Sequence, residues 1–188
     1  MQTVIGRIDR AIDMTSKIVD AVEPDRLSAA TPCAGWDVRK VLNHTVGGMR
    51  LFAAELAGTD PVGAHDDDWL GADPQAAFAA AAEIDRAAWH RLDVPEATVR
   101  LRFGEVSAPQ AALVHLTEVV VHGIDIALAL DRPDLADDAL SAELLEVMHE
   151  TGGVEPFRQP GLFGAALPVD ADAPAHRKLM AYVGRTWN

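Results

Sequence analysis

At 188 residues, with 49% hydrophobic and 24% charged side chains, the chain has the length and composition of one globular domain. Sixteen basic against 29 acidic residues leave a net charge of −13, which argues against nucleic acid or an anionic membrane as a partner, since both require a positive patch. The one cysteine, Cys33, permits no internal disulfide and fits a reducing, cytoplasmic setting; no apolar run approaches the roughly 20 residues that span a bilayer, and the N-terminus lacks the apolar core of a signal peptide.

In chain order the periodicity is mainly helical. Residues 2–22 place Val4, Ile5, Ile8, Ala11, Ile12, Thr15, Ile18, Val19 and Val22 on one stripe, which predicts an amphipathic helix. The proline- and glycine-broken segment EPDRLSAATPCAGWD follows as a loop. Asp37 then reads as the N-cap of a second helix to about Leu56, with Val38, Val41, Leu42, Thr45, Met49, Phe52 and Leu56 on its apolar stripe. Residues 57–73 are turn-rich, and Asp73-Pro74 opens a third helix to about Trp89.

The segment TVRLRFGEVS alternates in period two around Gly104, the pattern of a short β-hairpin. Ser107 with Gln110 forms a capping-box signature for a fourth helix over about 108–131. A fifth spans about 135–151 and stops at Gly152-Gly153, and a last short helix covers about 174–184. Long helices with almost no strand predict a single all-α domain over 1–188, an antiparallel four-helix bundle with extra short helices and a small hairpin.

The fourth helix is apolar nearly all round, yet it carries His115, Glu118, His122 and Asp125. At about 100° per residue, with His115 as zero, Glu118 falls near −60°, His122 near −20° and Asp125 near −80°. All four share a stripe about 80° wide, and charge buried there without partners costs several kcal/mol. Glu118 and His122, spaced i, i+4, can bind one ion together. A bundle-centred metal needs a further ligand from a facing helix, and the second helix offers His44, followed by Gly47 and Gly48. Two adjacent mid-helix glycines, each costing about 1 kcal/mol against alanine, point to space wanted there for close packing or for a ligand. Two histidines and one carboxylate leave coordination positions open, the mark of a reactive metal site; the plainer alternative is an i, i+4 ion pair between Glu118 and His122.

The stretches TPCAGWDVRKVLNHTVGG and TEVVVHGIDIALAL, with the tail FGAALPVDADAPAHRKLMAYVGR, resemble the DinB-like, mycothiol-dependent maleylpyruvate isomerase N-terminal domain family, in its short single-domain members. The resemblance implies a DinB-like four-helix bundle with one divalent metal, zinc first and Ni2+ or another ion as alternatives, held by His44, Glu118 and His122. It further implies mycothiol or a similar thiol as cosubstrate. Ile124 stands where the family's second motif usually has tryptophan, Leu128 where an arginine is often found, and the isomerase's separate C-terminal domain has no counterpart, so maleylpyruvate isomerisation itself is not the expected reaction.

Around this set, His115 reads as a further ligand, a partner of Glu118 or a plain helix residue, and Asp125 as a residue that orients a ligand or bonds across helices. Cys33 reads as packing and Trp36 as a staple for the second helix; His65, His90, His149 and His176 read as surface residues. The expected function is that of a metal-dependent transferase or isomerase using a thiol on a small electrophilic substrate. The alternative is a non-catalytic metal- or ligand-binding bundle, with homodimerisation through an outer helix face left open.

Overall fold

The computed structural model describes residues 1–60, 62–65, 67–91, 93–101, 103–159 and 163–186; Arg102 of the expected hairpin lies outside them. The described chain is mostly helical, with α1 (Gln2–Asp20), α2 (Val38–Ala57), α3 (Pro74–Trp89), α4 (Ala108–Ala129), α5 (Asp138–Thr151) and α6 (Ala175–Tyr182). Strands β1 (Thr98–Leu101) and β2 (Gly104–Ser107) pair antiparallel from Thr98 opposite Ser107 to Leu101 opposite Gly104.

Local chemistry sets most boundaries. Asp37 accepts the Lys40 amide at 2.8 Å and Asp73 the Ala76 amide at 2.9 Å, each satisfying a donor that the first helical turn leaves unpaired. The Gln110 side chain accepts the Ser107 amide at 3.2 Å, closing the start of α4. Gly58 and Gly152 end α2 and α5 in the left-handed conformation that only glycine adopts without strain. Gly104 lies near the middle of the hairpin, as expected, as the first residue of β2 beside the turn, with φ of 130°. The fifth helix begins later than expected: Asp137 caps Leu140 N at 2.8 Å, and Pro133–Leu135 forms a separate 3₁₀ turn before it.

The first helix packs against α3 and α4, α2 against α3 and α4, and α5 against α6. Along α2 and α4, Trp36 lies on His122, His44 meets Glu118 and Phe52 lies on His115. Residue numbers rise on one helix as they fall on the other, so these two helices run antiparallel. Ile8, Ile12, Ile18, Leu42, Met49, Leu116, Ile124, Leu140 and Leu144 are fully buried in one core. The α4 helix is long and apolar enough to cross a membrane by length and composition, but 78% of its most apolar window is buried inside the protein. Its apolarity is that of a central core helix surrounded by other elements.

Candidate metal centre

Two helices bring the triad together. Midway along α2, His44 faces α4, and its Nε2 lies 3.1 Å from Glu118 Oε2. One turn beyond Glu118 on α4, His122 places its own Nε2 3.3 Å from the same oxygen. Candidate ligand atoms of His44, Glu118 and His122 all lie within 4.8 Å of one another. Two imidazole nitrogens and a carboxylate oxygen converging on one point form a donor set suited to a zinc-like divalent ion. The triad predicted from the spacing is therefore assembled as a cluster, and the glutamate does more than pair with its i+4 neighbour.

Behind the triad, the other nitrogen of His122, Nδ1, lies 3.0 Å from Asp125 Oδ2. Asp125 is fully buried, and Arg185, between α6 and the C-terminus, donates from Nε to both of its oxygens at 3.2 Å. A proton on Nδ1 held by Asp125 leaves the Nε2 lone pair of neutral His122 free to ligate, and a guanidinium holding the carboxylate fixes the ring in turn. Asp125 thus stands where a residue orienting a ligand belongs. Arg185, far off in sequence, gave no sign of joining it.

The electrostatics follow from these contacts. Burial alone raises the Glu118 carboxyl, but hydrogen bonds from His122 and His44 outweigh it and hold Glu118 well below the ordinary carboxylate range. For His122, burial opposes the charged form, while bonds to Asp125 and Glu118 prevail and raise its pKa to about 9. Without an ion, His122 therefore carries both ring protons at neutral pH and Glu118 is the acceptor.

His115 does not join this cluster. Its Nε2 bonds Asp85 of α3 at 2.7 Å, both side chains are buried, and its ring lies against Phe52 and Trp89. The reading of His115 as partner of Glu118 gives way to a core pair with Asp85. Although its angle on the helix is close to that of His122, seven residues separate them, about 10 Å along the axis.

The loop before α2 supplies two residues whose place the sequence did not reveal. The Trp36 ring stacks on His122 at 5.9 Å and meets His44 edge-on at 4.9 Å. Cys33 has its sulfur within 4.8 Å of a His122 nitrogen and an Asp125 oxygen. Burial pushes its thiol up to about 11, so Cys33 stays protonated. His65 is not a plain surface residue: it is half-buried and its ring centroid lies 4.4 Å from that of His44. His176 is likewise buried, bonding Asp138 at 2.7 Å. His90 and His149 are exposed, as expected.

The triad opens into a cavity of about 1100 Å³ between α2, α4, the hairpin and the C-terminal segment. Gly47 and Gly48 divide the roles expected of them. A Cβ on Gly47 would lie 2.7 Å from the Trp69 ring, whereas Gly48 lines the cavity, with nothing nearer to its Cβ position than His65 Nε2 at 4.0 Å.

Comparison with known proteins places the chain in a family. Two uncharacterized proteins, from Mycobacterium tuberculosis strains CDC 1551 and H37Rv, are each 31% identical over 178 residues, covering 94% of this chain and 94% of their own length. No solved structure matches the chain. The family model for the mycothiol maleylpyruvate isomerase N-terminal domain matches residues 8–127, a span that includes His44, Glu118, His122 and Asp125. The chain belongs to the mycothiol maleylpyruvate isomerase N-terminal domain family.

Proposed function

We propose that the chain is a DinB-like antiparallel bundle binding one divalent metal, zinc first, and acting as a thiol-dependent transferase or isomerase on a small electrophilic substrate. The observation that carries the reading is the convergence of His44 Nε2, His122 Nε2 and Glu118 Oε2 at the wall of a large cavity. Those three residues would hold the ion, and a set of three protein ligands would leave coordination positions for a small ligand. A bound divalent ion supplies Lewis acidity, lowering the pKa of a thiol ligand so that a thiolate is available at neutral pH.

The chain's own residues do the rest. Asp125 orients His122, Arg185 holds Asp125, and Trp36 packs on the face of His122 and edge-on to His44. Cys33, kept as a neutral thiol, does not compete with the incoming thiol for the electrophile. Mycothiol is the thiol to which the family's description points.

Cobalt-loaded Cys33→Ser protein, titrated with mycothiol-like and simple thiols, tests the reading. A thiolate-to-metal absorption band in the near ultraviolet, growing with pH, is the expected result. Absence of the band with every thiol, in folded protein with the metal bound, would leave a non-catalytic metal-binding bundle.

A further inference from the structure

The cavity in front of the triad has a chemistry of its own. Its walls on α2 include Gly48, Met49, Phe52 and Glu55, so it reaches eleven residues beyond His44, roughly 16 Å along the helix. The antiparallel α4 lines the same stretch with Thr117, Val114 and Leu113, running back from Glu118. The cavity therefore starts at the triad and extends toward the hairpin, where Val114, Leu113 and Phe52 line it beside Glu55, whose carboxylate accepts the Arg100 amide at 3.1 Å.

Aromatic residues are few, 5% of the chain, yet four of its five phenylalanines line this one cavity: Phe52, Phe103, Phe157 and Phe163. They come from α2, the hairpin and the segment after α5, so no single helix face explains their meeting. Phe103 and Phe157 pack at 5.0 Å, and Phe103 keeps 53% of its surface exposed, where a residue serving only the core would be covered. Among the described lining residues, two of the three arginines, Arg158 and Arg185, are already matched. Arg185 bonds Asp125, Arg158 bonds Glu155 and two backbone carbonyls, and Arg100 faces Glu105 at 3.9 Å. Neither Arg158 nor Arg185 is therefore left to pair with a carboxylate or phosphate on a ligand, and Arg100 holds its charge at the exposed hairpin.

We infer that this lobe binds an aromatic, uncharged molecule, whose rings lie among the phenylalanines while one end reaches the triad. Edge and face contacts among rings add to what burial alone gives, and this favours a ring-bearing ligand over an alkyl chain of the same area. That the bound molecule is the electrophile rests on the function proposed above; that the lobe takes rings does not.

The test uses metal-free protein and the uncharged fluorophore N-phenyl-1-naphthylamine. Saturable one-to-one binding is expected, with Kd on the order of micromolar, and displacement by naphthalene at lower concentrations than by 1-decanol. Phe103→Ala and Phe157→Ala, both outside the buried core, should each weaken binding about tenfold with the helical spectrum unchanged. If one variant fails to fold, the other decides. Equal displacement by 1-decanol, or unaltered binding in a folded variant, overturns the proposal. Metal content and the cobalt–thiol band are read on separate samples, so their failure with ring binding intact removes only the thiol chemistry, and the reverse result removes only the aromatic lobe.

Discussion

At the scale of single residues, the arrangement depends on which nitrogen of His122 is held. Asp125→Asn keeps the size of the side chain but removes the charge that Nδ1 and Arg185 both face. Losing such a partner behind a ligand lowers metal affinity about 10- to 100-fold, which competition against a chelator would measure. Unchanged affinity would mean that Asp125 serves Arg185 alone. A second expectation concerns Cys33: with its pKa pushed to about 11, iodoacetamide at pH 8 should modify it far more slowly in the folded protein than in denaturant. Equal rates would show an exposed, ordinary thiol. The triad and Asp125 were legible because three of the four sit on one helix, where spacing alone fixes angle. Arg185, Cys33 and Trp36 reach the site from a loop and the C-terminal end, and no periodicity announces such approaches. His115 was misplaced for a related reason: an angle on a helix says nothing of which neighbour, here Asp85 on α3, will face it.

At the scale of elements, the two adjacent glycines of α2 should respond to alanine with opposite signs. Any mid-helix Gly→Ala change gains about 1 kcal/mol in helix propensity. At Gly48 only His65 Nε2, at 4.0 Å, meets the new methyl, so most of that gain is kept and Tm should rise by roughly 2–4 °C. At Gly47 the methyl would lie 2.7 Å from the Trp69 ring, which is pinned by its bond to Ala64 O, and overpacking costs about 1–3 kcal/mol. Gly47→Ala should therefore lower Tm while Gly48→Ala raises it, and equal shifts would show that the Trp69 loop yields freely. The helices themselves were readable because caps and apolar stripes are local. What meets α2 at Gly47 is the loop that carries Trp69, and no periodicity announces that approach.

At the scale of the whole molecule, the buried charges tie folding, metal and pH together. The ordinary pKa of histidine, 6.5, is raised to about 9 for His122 in the folded protein without an ion. A raised folded value means that the stabilisation is fully present below pH 6.5 and is lost as pH climbs to about 9, since the folded state then gives up a proton it had held more tightly than the unfolded chain. Cys33 contributes in the same direction, but between 9.0 and about 11, so the windows separate and Cys33→Ser removes the upper one. A metal ion on the triad, as proposed, would reverse the first trend. It needs the Nε2 lone pair of His122, so below about pH 9 binding must displace a proton, and affinity should climb by up to tenfold per pH unit until that pKa is passed. Thermal melts of metal-free Cys33→Ser protein should thus show Tm falling from pH 6.5 to 9, while the increment from a fixed zinc concentration grows over the same interval. His122→Ala, if it folds, should flatten both curves. A zinc increment independent of pH would place the ion away from His122, and the assignment of the triad would fall with it.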